Sequence, residues 1–321
     1  MKEVNYLEII KKSWKITWEN KYLWWFGLLL FLGGGTRFNF PGNSEWSKKA
    51  GENEEQFRNF LNQHWQLVAG FIVFVVMMCL ALIILKLIAK AGLIKALDKV
   101  EKKLSVNFKE GFREGKKYFW KILAIGLILG FFIFVLLVVL AIPITLLFSA
   151  RAFVLGAFSA FFALAIFIPL VVLASFIGKY SIYYVVLSNL GIKASIENGY
   201  QIFRKNIIPS IVMALFFIPI NIALFILIVT ALLSIGTVFL LVGIVLYFTL
   251  AKIGVVIAVS LGIFVFIVIL FLANSIFQVF CQTTWFLFFR EIATVKEEEK
   301  IKEVAPEKST IKKILPEPEE A

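Results

Sequence analysis

Long charge-free runs of apolar residues alternate with short basic segments along most of the chain. A helix rises about 1.5 Å per residue and a bilayer core is about 30 Å thick, so one crossing needs about 20 apolar residues. Five runs satisfy this length, and a shorter sixth run precedes them. The pattern predicts an all-α integral membrane protein of about six transmembrane helices. The five long runs begin near Gln66, Ile122, Arg151, Ile207 and Ile253.

Two stretches leave the number of crossings open. Residues 22–35 would span only about 21 Å as a helix, so they either cross a thinned bilayer or re-enter without crossing. Residues 234–251 form either a seventh span or a re-entrant element. We favour six crossings, because Lys252 is then a lone outer charge while Arg290 joins the inner ones.

The charge distribution sets the orientation. Residues 86–121 hold eleven Lys and Arg against four acidic residues, whereas the polar loop 36–65 holds four of each sign. Cytoplasmic segments of membrane proteins carry the excess of Lys and Arg. We therefore expect a multi-pass protein of the cytoplasmic membrane, with both termini in the cytoplasm and 36–65 outside. The Lys-, Glu- and Pro-rich tail, 294–321, is predicted to be disordered.

Composition supports this class of protein. Hydrophobic residues make up 60% of the 321 residues and charged residues 17%, whereas soluble domains carry about 25% charged residues. The net charge of +12 lies beside apolar runs rather than on a separate basic face, so we expect no nucleic-acid partner. The lipid bilayer is the expected partner, and its anionic headgroups are attracted to such basic segments.

A short motif recurs three times, each time just before a span. In an ungapped alignment of the three segments, a small residue is followed directly by an aromatic one and, six positions later, by Asn or Tyr. Each segment is amphipathic, which predicts three interfacial helices. The aligned positions are Ser13, Gly111 and Gly199; Trp14, Phe112 and Tyr200; and Asn20, Tyr118 and Asn206.

The motif predicts three repeats, each an interfacial helix followed by a helical hairpin. The repeats cover about 5–98, 104–190 and 192–290, within one membrane domain, 1–293. This lead-in motif resembles uncharacterised bacterial polytopic membrane proteins, and it is similar to the membrane domain attached to some glycerophosphoryl diester phosphodiesterases. The resemblance implies a fold and a membrane location. It implies no catalytic residue, because the hydrolase activity of those proteins belongs to a separate soluble domain.

The residues of catalytic and metal sites are scarce. Asp98 is the only aspartate and His64 the only histidine, and no acidic residue lies between Glu114 and Glu197 or between Glu197 and Glu291. Carboxylate relays and paired-carboxylate active sites therefore lack their residues, and one histidine cannot form a His-rich metal site. We expect no enzyme, no cofactor and no metal.

One polar constellation remains, in the last apolar run. Asn274, Gln278 and Gln282 recur at intervals of four, so they share one helix face, and Asn221 is the predicted partner on the preceding run. Such a face either forms hydrogen bonds between helices or lines a polar groove for a headgroup or solute. The leading hypothesis is a non-enzymatic scaffold, assembly or envelope-maintenance protein, with a protein partner or a homo-oligomer. The alternative is a transporter or lipid-moving protein that uses this face.

Overall fold

The computed structural model describes residues 4–34 and 63–312, with side chains as far as Ala293. All regular structure in this part of the chain is helical. Most of the predicted loop 36–65 and the end of the tail, 313–321, lie outside the described residues. The helices, in chain order, are α1 Tyr6–Glu19, α2 Leu23–Leu32, α3 Trp65–Glu101, α4 Phe108–Lys116, α5 Phe119–Ser149, α6 Phe153–Ser188, α7 Ile192–Lys205 and α8 Ile207–Lys312.

Four of the described helices are long and apolar enough to cross a membrane: α3, α5, α6 and the part of α8 that ends at Ala293. The prediction of about six such helices is therefore met only in part. Two physical reasons account for the difference. Helix α2 has only ten residues, and α8 contains both of the last two predicted spans.

Helix α8 reverses direction at Ala251, whose backbone has φ 52° and ψ −137°. The arms 207–250 and 252–293 pack against each other. A Cβ atom placed on Gly243 would lie 3.5 Å from Cβ of Ala258, and one on Gly262 would lie 2.9 Å from the Phe239 ring. The ambiguous stretch 234–251 is therefore the distal part of the first arm, continuous with the span before it.

Helix α2 packs beside only part of α3. A Cβ atom on Gly33, just after α2, would clash with Cβ of Lys86 and would lie 2.5 Å from the carbonyl oxygen of Leu82. From Lys86 back to Trp65, α3 continues for about 31 Å. Helix α2 therefore ends at the level of Lys86, where the charge-free run of α3 stops, and it does not pack along that run.

The packed core lies at one end of the bundle, which we call the base. The base comprises α1, α2, α4 and α7 together with 88–101 of α3, 174–188 of α6 and 275–293 of α8. Beyond it, the apolar helices expose most of their side chains, and the most apolar window of α3 has no buried residue. Burial of apolar surface thus holds the base together, while the distal helices present the apolar flanks expected of lipid-facing segments.

Candidate functional site

The three small residues of the recurring motif are all buried in the base. Ser13 lies on α1, Gly111 on α4 and Gly199 on α7. A Cβ atom on Gly111 would lie 3.4 Å from the carbonyl oxygen of Gly92 on α3, and one on Gly199 would lie 2.6 Å from Oγ of Ser181 on α6. Small residues at these positions let each short helix approach a long helix closely.

The other motif positions also have defined roles. Trp14 and Tyr200 are exposed, whereas Phe112 is half-buried; Trp14 packs edge-on against Phe280 of α8, with 5.8 Å between ring centroids. Asn20 and Asn206 end α1 and α7, and each side-chain amide donates a 3.0 Å hydrogen bond to a carbonyl one turn earlier. These amides satisfy carbonyl groups that the helix ends would otherwise leave without partners.

Two lysines from different long helices approach each other within the base. Lys90 of α3 and Lys179 of α6 lie close enough for their charges to repel, and Cys281 of α8 lies near Lys179. Nζ of Lys179 lies 3.5 Å from the ring centroid of Trp285 and 5.9 Å from that of Phe176. Aromatic faces stabilise such a cation in part, but they do not neutralise it.

Neither lysine forms an ion pair within the described parts of the chain. Lys179 is the only charged residue of α6. The nearest acidic residue along α3 from Lys90 is Asp98, about two turns further on, and it pairs with Arg290 at 3.3 Å and with Lys102 at 2.8 Å. Both lysines are only half exposed. A cation that is partly removed from water is costly without a counter-charge, so this pair suits an anionic ligand.

The predicted amide face of the last span runs outward from this lysine pair. Asn274, Gln278, Cys281 and Trp285 recur at intervals of four, three and four residues, which places them on one face of α8. Gln278 therefore lies one turn before Cys281. Gln278 and Gln282 are half-buried and make no hydrogen bond with any described residue. Their amides thus remain available to a ligand.

The predicted partnership of Asn221 with this face is absent from the structure. Asn221 is exposed, and its amide donates a 2.6 Å hydrogen bond to the carbonyl oxygen of Phe217 in its own helix. Asn274 likewise donates to Leu270, at 2.8 Å. A carbonyl four residues earlier is always within reach of an asparagine in a helix. Local bonds have therefore replaced the expected bond between helices.

An ion-pair network fixes the end of the base below the lysines. Arg290 of α8 contacts Glu101 of α3 at 2.5 Å and Asp98 at 3.3 Å. Lys12 of α1 contacts Glu101 at 3.2 Å, which brings the first helix into the network. The network joins elements from both ends of the chain. It therefore fixes the position of α3, which carries Lys90, relative to α8, which carries Cys281.

Sequence analysis missed the lysine pair, because it counted Lys90 among the basic residues of 86–121 and did not single out Lys179. A signal was present for Lys179. This lysine interrupts an otherwise uncharged helix and is followed by nine further uncharged residues of α6. A single cation within a long apolar helix is costly, and it marks a functional position by default.

The fold and the site together define a class: an all-helical integral membrane protein with an uncompensated pair of cations at the packed end of its bundle. The chain belongs to a family of unknown function, DUF7544, whose sequence profile matches residues 20–293. No curated protein and no solved structure matches the chain. The comparisons thus establish an uncharacterised family, and they show no link to the glycerophosphoryl diester phosphodiesterases.

Proposed function

We propose that this protein is a lipid-handling protein of the cytoplasmic membrane that binds the phosphate-bearing headgroup of an anionic lipid between Lys90 and Lys179. The observation that carries the proposal is the proximity of these two lysines without an ion-pair partner in the described part of the chain. A phosphate group would supply the missing counter-charge and accept hydrogen bonds from both ammonium groups.

The surroundings of the pair favour a ligand that comes from the bilayer. The 26 residues of α6 before Lys179 are all uncharged, and about 20 apolar residues suffice to cross a bilayer core. Gln278, which has no hydrogen bond to a described residue, lies one turn before Cys281, and we propose that its amide binds the polar backbone of the same lipid. Lys90 and Lys179 would thus provide the positive charge, and Gln278, further along α8, would provide hydrogen bonds.

The proposal includes three similar units, each with a short helix of the base, an outward helix and a returning helix. The short helices are α1, α4 and α7, and the returning helices are α3, α6 and the second arm of α8. In the first unit the outward helix is α2, which reaches only as far as the level of Lys86. Helix α4 packs on α3 and α7 on α6, while α1 packs on the second arm of α8. This similarity supports three repeats, over about 5–98, 104–190 and 192–290. The basic segments near the base favour a cytoplasmic location for it and for both termini.

A scaffold or assembly role is the second candidate, and one observation favours it. The part of α3 before Lys86 exposes its apolar side chains on all faces. Another membrane helix packed there would gain van der Waals contacts that this chain does not provide. The helix that packs against this part of α3 would belong to a partner protein or to a second copy of this chain.

Native mass spectrometry tests the two candidates. The full chain is released from nanodiscs that contain anionic and zwitterionic phospholipids, as the native protein and as Lys90→Met/Lys179→Met. Lys109→Met/Lys193→Met removes the same charge from exposed positions of α4 and α7 and serves as the control. We expect the native protein and the control to retain one anionic lipid that the Lys90/Lys179 variant loses.

Equal lipid retention by all three proteins would refute the lysine site. A stoichiometric protein partner, recovered from the native membrane without any bound lipid, would instead support the scaffold role. Gln278→Leu adds a further distinction. Because Gln278 makes no hydrogen bond with a described residue, its loss should leave the unfolding temperature unchanged while it weakens lipid retention.

A further inference from the structure

A basic pocket lies on the outside of the base, where α3, α4 and the start of α5 meet. Its volume is about 370 Å³, and four lysines and two carboxylates line it. We propose that this pocket binds a phosphate monoester. The inference is independent of the function proposed above, because different residues on a different face of α3 carry it.

The charges of the pocket do not balance. Glu114 pairs with Lys99 at 2.8 Å, and Asp98 pairs with Lys102 at 2.8 Å. The remaining two lysines, Lys95 and Lys117, form no ion pair within the described part of the chain. Two positive charges are therefore left over. A phosphate monoester carries between −1.5 and −2 charges at pH 7, so it matches them, whereas a phosphodiester carries only one charge.

Tyr118 fixes one of these two lysines. Nζ of Lys95 lies 5.4 Å from the centroid of the Tyr118 ring, which is within the range of a cation–π contact. A lysine held in this way loses less conformational freedom when it binds an anion. Lys117 is exposed at the end of α4 and approaches the same pocket from the opposite helix.

The pocket also lies at the level where α5 leaves the base. Tyr118 immediately precedes α5, and Trp120, in its first turn, is 75% exposed. Tryptophan at such a position is typical of the headgroup level of a bilayer. The monoester could therefore be the headgroup of a lipid such as phosphatidic acid, or a soluble phosphate monoester, and the test separates these two sources.

The pocket faces away from the Lys90–Lys179 pair. Lys95 follows Lys90 by five residues, which turns its side chain by about 140° around the α3 axis. The two sites therefore respond to different substitutions. Lys90→Met/Lys179→Met should leave binding at this pocket unchanged, so the failure of one proposal does not entail failure of the other.

The test measures ligand binding to the full chain in zwitterionic nanodiscs, with phosphatidic acid added to the bilayer or inorganic phosphate added to the solution. Lys95→Gln/Lys117→Gln is compared with Lys109→Gln/Lys193→Gln, which changes the same charge elsewhere. Each lysine near the surface contributes about fivefold to the affinity for an anion. We therefore expect the first variant to bind about 25-fold more weakly, and the control to bind like the native protein.

Binding should also weaken as the pH falls below about 6, because the dianionic monoester then takes up a proton and loses one negative charge. Phosphatidylglycerol, a phosphodiester, should bind more weakly than phosphatidic acid. Tight binding of phosphatidic acid supports the lipid source, and binding of inorganic phosphate alone supports the soluble one. The proposal is overturned if neither probe binds the native protein, or if Lys95→Gln/Lys117→Gln binds both with native affinity.

Discussion

The guanidinium of Arg290 donates a 2.5 Å hydrogen bond to Glu101, which lies 189 residues earlier in the chain. The second nitrogen of the same group contacts Asp98 at 3.3 Å. Both acidic residues belong to α3, whereas Arg290 lies near the end of the second arm of α8. This contact therefore joins the first long helix to the last one, and it fixes the geometry between the helices that carry Lys90 and Cys281.

Arg290→Leu should lower the free energy of unfolding by about 1 kcal/mol, because the network is partly exposed and such pairs are individually weak. Thermal unfolding in detergent, followed by tryptophan fluorescence, measures the effect. The loss should shrink at high salt, which screens partly exposed charges. Arg204→Leu, an exposed substitution on α7, is the control. If both substitutions lowered the unfolding temperature equally, the network would not be the cause.

Gly92→Ala should be strongly destabilising. The added Cβ would lie 2.7 Å from the carbonyl oxygen of Gly111 and 2.8 Å from the ring of Phe26. The carbonyl cannot move without shifting α4, so we expect a loss of about 1–3 kcal/mol. Thermal unfolding in detergent measures it.

Gly126→Ala provides the matched control for Gly92→Ala. Gly126 lies on α5 with no neighbouring atom within 4 Å of the added Cβ, so the greater helix propensity of alanine should raise stability by up to about 1 kcal/mol. Equal effects of the two substitutions would mean that α4 does not pack on α3 as described.

The reversal of α8 at Ala251 predicts a disulfide. Cysteines at positions 243 and 258 would have their Cβ atoms about 3.5 Å apart, which is within the range of a disulfide. Gly243→Cys/Ala258→Cys, in a chain with Cys79→Ala and Cys281→Ala, should therefore form one on mild oxidation. Protection of both thiols from a maleimide mass tag detects it. Labelling of both thiols after oxidation would indicate that 234–251 is not the distal part of the first arm.

Two tyrosines with buried hydroxyl groups should respond differently to loss of that group. Oη of Tyr22 is buried without a hydrogen bond to any described residue, and burial raises the pKa of this tyrosine. Tyr22→Phe should therefore keep or raise stability. Oη of Tyr180 lies 2.7 Å from Oγ of Ser210, so Tyr180→Phe should cost about 1 kcal/mol. Thermal unfolding of both variants checks the contrast, and a loss for Tyr22→Phe would contradict it.

Much of the helical architecture could be predicted from the sequence, because charge-free runs of known length define long apolar helices. The arrangement of α2 could not, since a run of 14 residues is compatible with either a short span or a re-entrant segment. The break near Ala251 was marked by Lys252, but the continuity of 234–251 with the span before it was hidden, because neither glycine nor proline marks the turn itself. The short helices containing Ser13, Gly111 and Gly199 were found, whereas the long helices on which they pack could not be identified from local pattern alone.

Only the part of the candidate site that lies on α8 was predicted from the sequence. The amides on α8 were recognisable, because polar residues at intervals of four stand out in an apolar run. Lys179 was recognisable as a lone cation in α6, but Lys90 was not, because it belongs to a dense group of basic residues. The proximity of the two lysines depends on the packing of α3 against α6. Long-range packing of this kind has no signature in a single sequence.

Photo-crosslinking from position 278 tests most directly the proposed anionic lipid headgroup between Lys90 and Lys179. A photoreactive residue replaces Gln278, and one at Val138, an exposed position on α5, serves as the control. We predict that position 278 crosslinks an anionic phospholipid in preference to a zwitterionic one, and that Lys90→Met/Lys179→Met abolishes this preference. A preference that persists in the variant, or one that is equally strong at position 138, would contradict the account.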